Sequence, residues 1–350
     1  MNKDYSHIPT VTVMVVAHNE EKVILEKLNN VTNLDYPKDK LEILIASDNS
    51  TDRTNGIVQN FISENQDVNV RLYQSKERKG KTNAQNEAFR TITSEYIVMT
   101  DANSMLAPNA VKELMASFTS ADIAYVAGKL AITNQNTSDV SKSEVSYWDG
   151  DLFIREIEAR MQTITAGNGA LYACRTSDYY EFDPIESHDS AMPLYYALQG
   201  KRAICNHDAI AYEKAGEVIQ DEFNRKVRMN RKILQRIIPD IRLFNVFKYK
   251  WFSYFYFGHR TCRYLLWLSH SLLLISSVLL ISNSWFFLVA SIGQIIFFLL
   301  AILRASFDIS NKYINMIYYY CVTIVAQWLG VINIVTGKAK PFWEKAESTR

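Results

Sequence analysis

Polar side chains that suit a diphosphate and a metal ion stand directly after four short apolar runs. The four polar segments are Ala17-His18-Asn19-Glu20, Asp48-Asn49-Ser50-Thr51-Asp52, Lys76-Glu77-Arg78-Lys79-Gly80-Lys81 and Asp101-Ala102-Asn103-Ser104. Basic groups favour a diphosphate, and a carboxylate there can hold a base N–H, a ribose hydroxyl or a divalent cation. Each segment alone could be an ordinary turn, because Asp, Asn, Ser and Gly are common turn residues. Their repetition after successive apolar runs indicates a ligand site instead.

The apolar runs and the stretches between them predict the elements that position these side chains. Short runs rich in β-branched residues predict strands, and apolar residues at helical spacing predict helices. The predicted strands are Val11–Ala17, Leu41–Ser47, Val68–Gln74 and Tyr96–Thr100, and the predicted helices are Glu20–Val31, Asn55–Glu64 and Lys81–Arg90. This alternation predicts an α/β fold with a mostly parallel sheet flanked by helices. Since ligands bind at the carboxyl ends of such strands, the four polar segments are expected to meet at one edge.

Several other function classes lack their usual sequence signals. The chain contains neither a Walker A pattern nor a GxGxxG dinucleotide motif, so nothing indicates an ATPase or a dehydrogenase. The cysteines lie far apart and predict neither a disulfide framework nor a structural metal site; they are Cys174, Cys205, Cys262 and Cys321. Reduced thiols are consistent with a cytoplasmic catalytic region.

Charge and hydropathy divide the chain into three regions with different surroundings. Residues 1–224 carry 21 Lys and Arg against 33 Asp and Glu, whereas residues 225–263 carry 11 Lys and Arg and a single acid, Asp240. From 264 to 335 the ionised residues are Arg304, Asp308 and Lys312. A basic segment beside apolar ones favours an anionic membrane surface over nucleic acid as its partner. By the positive-inside rule, it predicts an integral membrane protein with a cytoplasmic catalytic region.

Three apolar runs predict about three transmembrane helices within residues 264–338. They are Tyr264–Ile281, Trp285–Leu303 and Tyr313–Val335, and none contains Asp, Glu, Lys or Arg. Their lengths suit a hydrocarbon layer of about 30 Å. The preceding residues 241–263 are basic and aromatic, and they are expected to lie at the level of the lipid headgroups.

The predicted crossings and the charges of the polar tail, residues 339–350, give conflicting orientations. Three crossings would place the tail outside, yet Lys338, Lys340, Lys345 and Arg350 favour the inside. Two explanations remain open. Either the third apolar segment does not cross fully, or the aromatic stretch Leu243–Phe257 also crosses.

The polar segments of the first region resemble motifs of the inverting glycosyltransferases of family 2, which have the GT-A nucleotide-sugar fold. Residues 17–20 resemble the Pro/Ala-x-Asn-Glu segment that lines the base pocket, and residues 47–52 resemble the Asp-Asp-x-Ser-x-Asp loop. Residues 80–86 resemble the Gly-Lys-x-x-Ala-x-Asn segment near the diphosphate. Residues 100–104 resemble the metal-binding Asp-x-Asp motif, with Asn103 in place of the second Asp.

The resemblance implies a set of ligand contacts. The nucleotide sugar would be bound by Ala17, Asn19, Glu20, Asp48, Lys81, Asp101, Arg225 and Arg228. A Mg²⁺ or Mn²⁺ cofactor would be held by Asp101 and Asn103. An amide oxygen still ligates a hard cation, although Asn103 brings one negative charge fewer than Asp.

Motifs further along the chain resemble the acceptor side of the same family. Gly167–Arg175 resembles the glycine-rich acceptor strand, and Ser187-His188-Asp189 resembles the Glu-Asp motif that opens the catalytic helix, with His188 in the Glu position. The resemblance assigns Gly169 and His188 to the acceptor and Asp189 to catalysis. In Glu222–Met229, Arg and Met replace the Gln and Trp of the Gln-x-x-Arg-Trp motif of processive synthases. This difference favours addition of one or a few sugars over polymer synthesis.

An inverting transfer is a single displacement that needs a base for the acceptor proton and positive charge for the departing nucleoside diphosphate. Asp189 is the expected base, because the positive end of a helix dipole stabilises a carboxylate. The alternative role for Asp189 is a helix N-cap. Lys81 and the metal at Asp101 would stabilise the leaving diphosphate.

The predicted domains are a GT-A catalytic domain (1–240), an interfacial segment (241–263), transmembrane helices (264–338) and a polar tail (339–350). The expected reaction moves a sugar from a UDP-sugar to a hydroxyl of a lipid-linked or membrane-proximal glycan, as in capsule or other polysaccharide biosynthesis. Other polysaccharide-assembly proteins are possible partners. The alternatives are a processive polysaccharide synthase, a polyprenyl-phosphate sugar transferase and a catalytically inactive membrane scaffold.

Overall fold

The computed structural model describes residues 2–134, 139–214, 216, 219–307, 309 and 311–339. Apart from residue 339, the predicted polar tail lies outside the described residues. Eight strands form one mixed sheet in the order β3-β2-β1-β4-β7-β6-β8-β5. The strands are β1 Val11–Ala17, β2 Leu41–Ser47, β3 Val70–Gln74, β4 Tyr96–Asp101, β5 Met105–Leu106, β6 Ile123–Ile132, β7 Leu171–Arg175 and β8 Arg202–Glu213.

The helices lie between these strands and after the last one. The helices of the sheet region are α1 Ile24–Thr32, α2 Thr54–Glu64, α3 Lys81–Phe89, α4 Ala110–Ala116, α5 Asp139–Met161 and α6 His188–Leu198. After β8 come α7 Ile219–Met229, α8 Ile233–Ile237, α9 Val246–Phe255, a π-helical turn Tyr256–Thr261, α10 Cys262–Tyr264, α11 Leu266–Leu279, α12 Trp285–Ser306 and α13 Lys312–Val335.

The apolar β1 forms the middle of the parallel part of the sheet. Every residue of β1 is buried, as expected for a strand covered by helices on both faces. β1 pairs in parallel with β2 and with β4, and β2 pairs in parallel with β3. Beyond β4 the sheet becomes mixed, because β7 runs antiparallel to both β4 and β6 while β8 is parallel to β6. The predicted α/β fold is confirmed, with its four parallel pairings confined to β1–β4 and to β6 with β8.

The four predicted strands and three predicted helices of residues 11–101 are all present. The bounds of β1 and β2 agree with the prediction, and β3 begins two residues later than expected. Helix α1 begins at Ile24 rather than at Glu20, because residues 21–23 form a turn.

Two of the predicted spans are helices long and apolar enough to cross a membrane, α12 and α13. The first predicted span is shorter than expected. Helix α11 has 14 residues, about 21 Å of helix, which is less than the roughly 30 Å of hydrocarbon. It is bent by 62° from the segment Val246–Tyr264, and only the two parts together would make a third span.

Helix α13 packs directly against the region that follows β8. The Tyr319 hydroxyl donates to Oε1 of Glu222 at 2.9 Å, and the Lys226 ammonium lies 4.3 Å from the centre of the Tyr319 ring. Further along α13, Gly330 faces Asn230 so closely that a Cβ there would lie 2.6 Å from the Asn230 Cβ. Helix α13 is therefore attached to α7 by a partly buried hydrogen bond and by close packing at Asn230, the residue that follows α7.

The interfacial segment 241–263 has one buried side and one exposed side. Its buried side forms a second small core with Ala197 of α6; the buried members are Leu243, Tyr249, Phe252 and Tyr256. Its other side exposes Ile241 (81%), Phe247 (91%) and Tyr254 (67%). An exposed surface of large apolar and aromatic side chains suits the level of the lipid headgroups.

Candidate active site

A cavity of about 760 Å³ lies at the carboxyl edge of the sheet. Nine of the twelve predicted site residues line it, namely Glu20, Lys81, Asp101, Asn103, Gly169, His188, Asp189, Arg225 and Arg228. Residues 330 and 333 of α13 belong to the same wall. The fold therefore brings together the loops of the sheet edge, the start of α6, helix α7 and a candidate membrane helix.

Lys81, Asp101 and the glycine loop meet at one point of this wall. The Lys81 ammonium forms an ion pair with Oδ1 of Asp101 and lies 3.4 Å from the carbonyl oxygen of Gly169. A Cβ at Gly169 would lie 3.2 Å from Lys81 Nζ and 3.6 Å from Asp101 Oδ2. Glycine at this position allows the chain to approach the ion pair, so the predicted donor and acceptor residues are neighbours.

Asp48 fixes the turn that presents Lys81. Its carboxylate is fully buried and accepts the backbone N–H groups of Lys79 and Gly80, each at 3.0 Å. Gly80 has a φ of +100°, which favours glycine, and it directly precedes α3. Because these bonds occupy both oxygens of Asp48, its structural role is to order the loop.

Asn19 binds the neighbouring loop in a similar way. Its side-chain oxygen accepts the N–H of Thr51 at 2.7 Å. Ala17, Asn19 and Asp48 are the three predicted site residues that are not part of the described cavity wall. Their contacts with a nucleotide base therefore stay a prediction.

Asp189 lies in the first turn of α6, where the helix dipole stabilises a negative charge. The helix begins at His188, and the residue in the N-cap position is Ser187, so the alternative role of Asp189 as the cap is wrong. The Ser187 hydroxyl donates to Oδ1 of Asp189. The Gly167 N–H donates to the Asp189 carbonyl oxygen at 2.7 Å and attaches the glycine loop to the start of α6.

His188 is buried beside Asp189 without a hydrogen-bond partner for its ring. It is 2% exposed, and neither ring nitrogen has a partner among the described residues. The rings of Tyr179 and Phe182 each lie 5.5 Å from it. Burial, helped by the charge of Lys81, lowers the pKa of His188 to about 3. His188 is therefore neutral at physiological pH and contributes no charge to the cavity.

Arg225, one of the two α7 arginines predicted to contact the nucleotide sugar, has a carboxylate partner on its own helix. The Arg225 guanidinium donates to both oxygens of Glu222, at 2.6 and 2.9 Å. Burial alone would raise the pKa of Glu222, but Arg225 and Lys226 beside it hold that pKa below its usual range. Arg225 thus lines the cavity with a balanced charge.

Lys27 is a buried cation that the sequence analysis missed. It is fully buried beneath the end of β4, where its ammonium donates to Thr100 Oγ1 at 3.0 Å and to the Ser104 carbonyl oxygen. Burial lowers its pKa to about 7, against the opposing effect of Asp101 and Glu213. The available signal was its position on the apolar face of α1, between Ile24 and Leu28.

Five further residues of the cavity wall were not predicted as site residues: Arg155, Arg236, Arg260, Arg263 and Tyr264. Three of them, Arg236, Arg260 and Arg263, belong to the basic segment 225–263, which the sequence analysis assigned to the membrane surface apart from Arg225 and Arg228. The density of arginine in this segment is visible in the sequence. Which arginines turn inward is decided by the packing of the interfacial segment against α6.

A divalent cation would find two side-chain oxygen donors on this wall, from Asp101 and Asn103. Among the described residues, no group of three or more His, Cys, Asp or Glu is arranged to hold a metal ion. Mg²⁺ is often bound by one or two carboxylates together with substrate phosphates. The donor set therefore fits a cation that arrives with a diphosphate rather than a cation held by the protein alone.

Comparison with known proteins agrees with this geometry. Residues 12–186, half of the chain, match the glycosyl transferase family 2 model. Over 136 residues the chain is 37% identical to the probable glycosyltransferase YdaM of Bacillus subtilis, covering 38% of this chain and 32% of YdaM. Over 164 residues it is 27% identical to the beta-monoglucosyldiacylglycerol synthase of Nostoc sp., covering 47% and 34%. The matched part is thus about a third of each relative's length.

Among solved structures, the fold resembles the mannosyltransferase PcManGT from Pyrobaculum calidifontis in complex with GDP-Man and Mn²⁺. The TM-score is 0.68 at 20% identity, and the match covers 97% of this chain and 90% of that one. At this identity the likeness speaks for the fold. Because the family domain covers half of the chain and includes the loops that hold Lys81 and Asp101, the protein belongs to glycosyl transferase family 2.

Proposed function

We propose that the protein is an inverting enzyme that transfers a sugar from a nucleotide sugar to a hydroxyl of a lipid-linked or membrane-proximal glycan. The observation that supports this most directly is the composition of the cavity wall. Lys81 and Asp101 of the donor side, the carboxylate of Asp189 and residues of α13 line one continuous space. An acceptor that is held beside a membrane helix would therefore reach the sugar donor.

In the proposed reaction, the acceptor oxygen attacks the anomeric carbon as the bond to the diphosphate breaks. Asp189 takes the proton of the acceptor hydroxyl. The bonding electrons leave with the nucleoside diphosphate, whose negative charge Lys81 stabilises. A divalent cation at Asp101 and Asn103 would supply further positive charge to the leaving group.

Asp189→Asn tests the proposed base. With purified detergent-solubilised protein and a panel of UDP- and GDP-sugars, this variant should lose about 10²-fold or more in kcat and keep its affinity for the nucleotide. Asp183→Asn is the matched control, because Asp183 is an exposed carboxylate five residues upstream of α6. An Asp189→Asn enzyme with full activity on a lipid phosphate would contradict the hydroxyl acceptor and favour the polyprenyl-phosphate sugar transferase.

Metal dependence is tested separately. Asp101→Ala should abolish transfer, whereas Asn103→Asp should preserve or strengthen the dependence on Mg²⁺ or Mn²⁺, because it adds a second carboxylate to the hard-cation site. Transfer that continues unchanged in EDTA would show that no divalent cation takes part.

We propose two crossings, by α12 and α13, with the catalytic region on the cytoplasmic side. Lys338, which follows α13, lines the same cavity as Asp189, and an even number of crossings would leave both on one side. In a background with the exposed Cys262 changed to Ser, an impermeant thiol reagent outside intact cells should label Phe307→Cys but neither Lys38→Cys nor Ser282→Cys. Labelling of Ser282→Cys instead of Phe307→Cys would indicate three crossings.

The product is expected to carry one or a few added sugars. Purified enzyme with a matching donor and a short lipid-linked acceptor should give a ladder of one or two discrete steps by thin-layer chromatography or mass spectrometry. High-molecular-weight polymer made from the donor alone would support the processive synthase instead.

A further inference from the structure

We propose that the cavity contains a second anion site, separate from the donor diphosphate, that binds the phosphate group of a lipid acceptor. The site is built from Arg155 of α5, Arg236 of α8 and Arg260 of the π-helical turn, all of which line the cavity. None of these elements contributes to the Lys81–Asp101 pair. The inference rests on the proposed function, because it requires the acceptor to enter this cavity.

Arg260 is a buried cation without a close carboxylate among the described residues. It is 6% exposed, and its guanidinium lies 5.3 Å from the centre of the Tyr264 ring. Its charge interacts more strongly with Tyr264 and Tyr256 than with Asp151 and Asp189. An unpaired charge costs several kcal/mol when it is buried, so such an arginine is poised to bind an anion.

Arg155 adds two directed donors to the same wall. It is 4% exposed, and its Nη2 pairs with Oδ2 of Asp151 at 2.5 Å. Its Nε and Nη1 atoms are buried and have no hydrogen-bond partner among the described residues. Charged N–H groups that have no acceptor favour an anion beside them, and each of these two donors can bind a separate phosphate oxygen or the same ligand at a different point.

The cations around this site outnumber its carboxylates. Asp151 is shared between Arg155, Arg263 at 3.3 Å and His259 at 3.4 Å. The Arg236 guanidinium donates to two side-chain oxygens, that of Tyr264 at 2.7 Å and Ser190 Oγ at 3.0 Å. Against the effect of burial, Arg236, Arg260 and Arg263 lower the pKa of Tyr264 to about 7. One shared carboxylate thus faces several guanidinium groups, and a dianionic phosphate would balance the charge.

The position of the site favours a phosphate that is attached to a lipid. The carbonyl oxygen of Arg263 accepts a hydrogen bond from Nε2 of Gln327 in α13 at 2.9 Å. Helix α10, which follows the π-helical turn of Arg260, therefore contacts a candidate membrane helix. Arg236 also bonds Ser190, the residue after Asp189. A lipid phosphate or diphosphate that enters along α13 would therefore stop beside the proposed base.

Binding of farnesyl phosphate to the full-length protein in detergent tests the site, with farnesol and inorganic phosphate as comparison ligands. The wild type should bind farnesyl phosphate about tenfold or more tightly than farnesol, because charge-assisted hydrogen bonds are lost with the phosphate. Arg260→Gln and Arg155→Gln should remove most of this difference. Arg242→Gln should keep it, since Arg242 is an exposed arginine of the same basic segment that pairs with Asp240.

Two further measurements separate a ligand site from a structural role and from the donor site. Without ligand, Arg260→Gln should keep or raise the melting temperature, whereas the loss of a structural arginine would lower it. Arg260→Lys keeps the positive charge, so it should bind farnesyl phosphate more tightly than Arg260→Gln does. The affinity for UDP or GDP, whichever the wild type binds, should be unchanged in Arg260→Gln.

Each alternative outcome has a definite meaning. Equal binding of farnesyl phosphate and farnesol by the wild type would overturn the site, and so would a loss of nucleotide affinity in Arg260→Gln with unchanged lipid binding. Inorganic phosphate that binds as tightly as farnesyl phosphate would overturn the assignment to a lipid. A wild type that binds farnesyl phosphate selectively but neither nucleotide would support the anion site and contradict the proposed function.

Discussion

Gly167→Ala should destabilise the fold and displace the start of α6. A Cβ at Gly167 would lie 2.0 Å from the hydroxyl oxygen of Tyr125 and 2.9 Å from its Cζ. Tyr125 is fully buried in β6, and its ring stacks on Tyr172 with the centroids 5.4 Å apart, so it cannot withdraw. The glycine loop must move instead, and it carries the N–H that bonds the Asp189 carbonyl oxygen.

The expected magnitude follows from the overpacking and from the Tyr125 hydroxyl. Extra atoms in a well-packed core cost about 1–3 kcal/mol. Tyr125→Phe removes the atom at 2.0 Å but leaves Cζ at 2.9 Å, so it should recover only part of this loss. Alone, Tyr125→Phe should be neutral or stabilising by about 1 kcal/mol, because the buried hydroxyl has no hydrogen-bond partner among the described residues. The double mutant should thus show a favourable coupling of about 0.5–3 kcal/mol.

Chemical or thermal unfolding of the four proteins in detergent measures this coupling, and kcat measures the displacement of Asp189. Gly56→Ala in α2 is the control, because a Cβ there meets nothing within 4 Å. A Gly167→Ala protein as stable as the wild type would refute this close packing, and so would a double mutant in which Tyr125→Phe recovers none of the lost stability.

Three further predictions concern other contacts of the site. His188 has a folded-state pKa of about 3, below its ordinary 6.5, so its contribution to stability is present above pH 6.5 and is lost as the pH falls. Between pH 7.5 and pH 5 the free energy of unfolding should therefore fall by about 2 kcal/mol more in the wild type than in His188→Phe. Parallel pH profiles of the two proteins would contradict this. Gly330→Ala should loosen α13 from Asn230, lower the free energy of unfolding by about 1–3 kcal/mol and raise the KM for a lipid-linked acceptor. Gly293→Ala is the control, because a Cβ there meets no atom within 4 Å, and it should change neither quantity. Equal KM values for the two variants would exclude this packing role. Asp48→Ala should leave the N–H groups of Lys79 and Gly80 without their acceptor, which should lower the free energy of unfolding by about 1–3 kcal/mol per group and raise the KM for the donor. The control Asp67→Ala, at an exposed carboxylate, should match the wild type. An Asp48→Ala protein with unchanged stability and KM would mean that the turn holds without this carboxylate.

Local patterns were sufficient to predict the parallel half of the sheet. Apart from Thr12, Glu42 and Ser47, the runs over 11–17 and 41–47 are apolar, as expected for strands covered on both faces, and their bounds could be predicted to the residue. The polar segments after them were placed at one edge by a topological rule, and nine of the twelve predicted site residues line the cavity there.

Long-range packing explains what could not be predicted. Whether Asp48 faces a ligand or a loop depends on the N–H groups of Lys79 and Gly80, some 30 residues away. The inward direction of Arg260 depends on the contact of the interfacial segment with α6, and that contact has no local sequence pattern. The first predicted span was too long because hydropathy does not detect the bend before α11.

Two departures from the family motifs have the same electrostatic effect. In the sequence resemblance, Asn103 takes the position of an Asp, and His188, which burial keeps neutral, takes the position of a Glu. Each replacement removes one negative charge from the wall that also carries Lys81 and the inward-facing arginines. A cavity wall with fewer carboxylates repels phosphorylated ligands less. These substitutions therefore fit an enzyme whose donor diphosphate and acceptor phosphate occupy one cavity together, and restoring a carboxylate with His188→Glu should weaken farnesyl phosphate binding more than it weakens nucleotide binding.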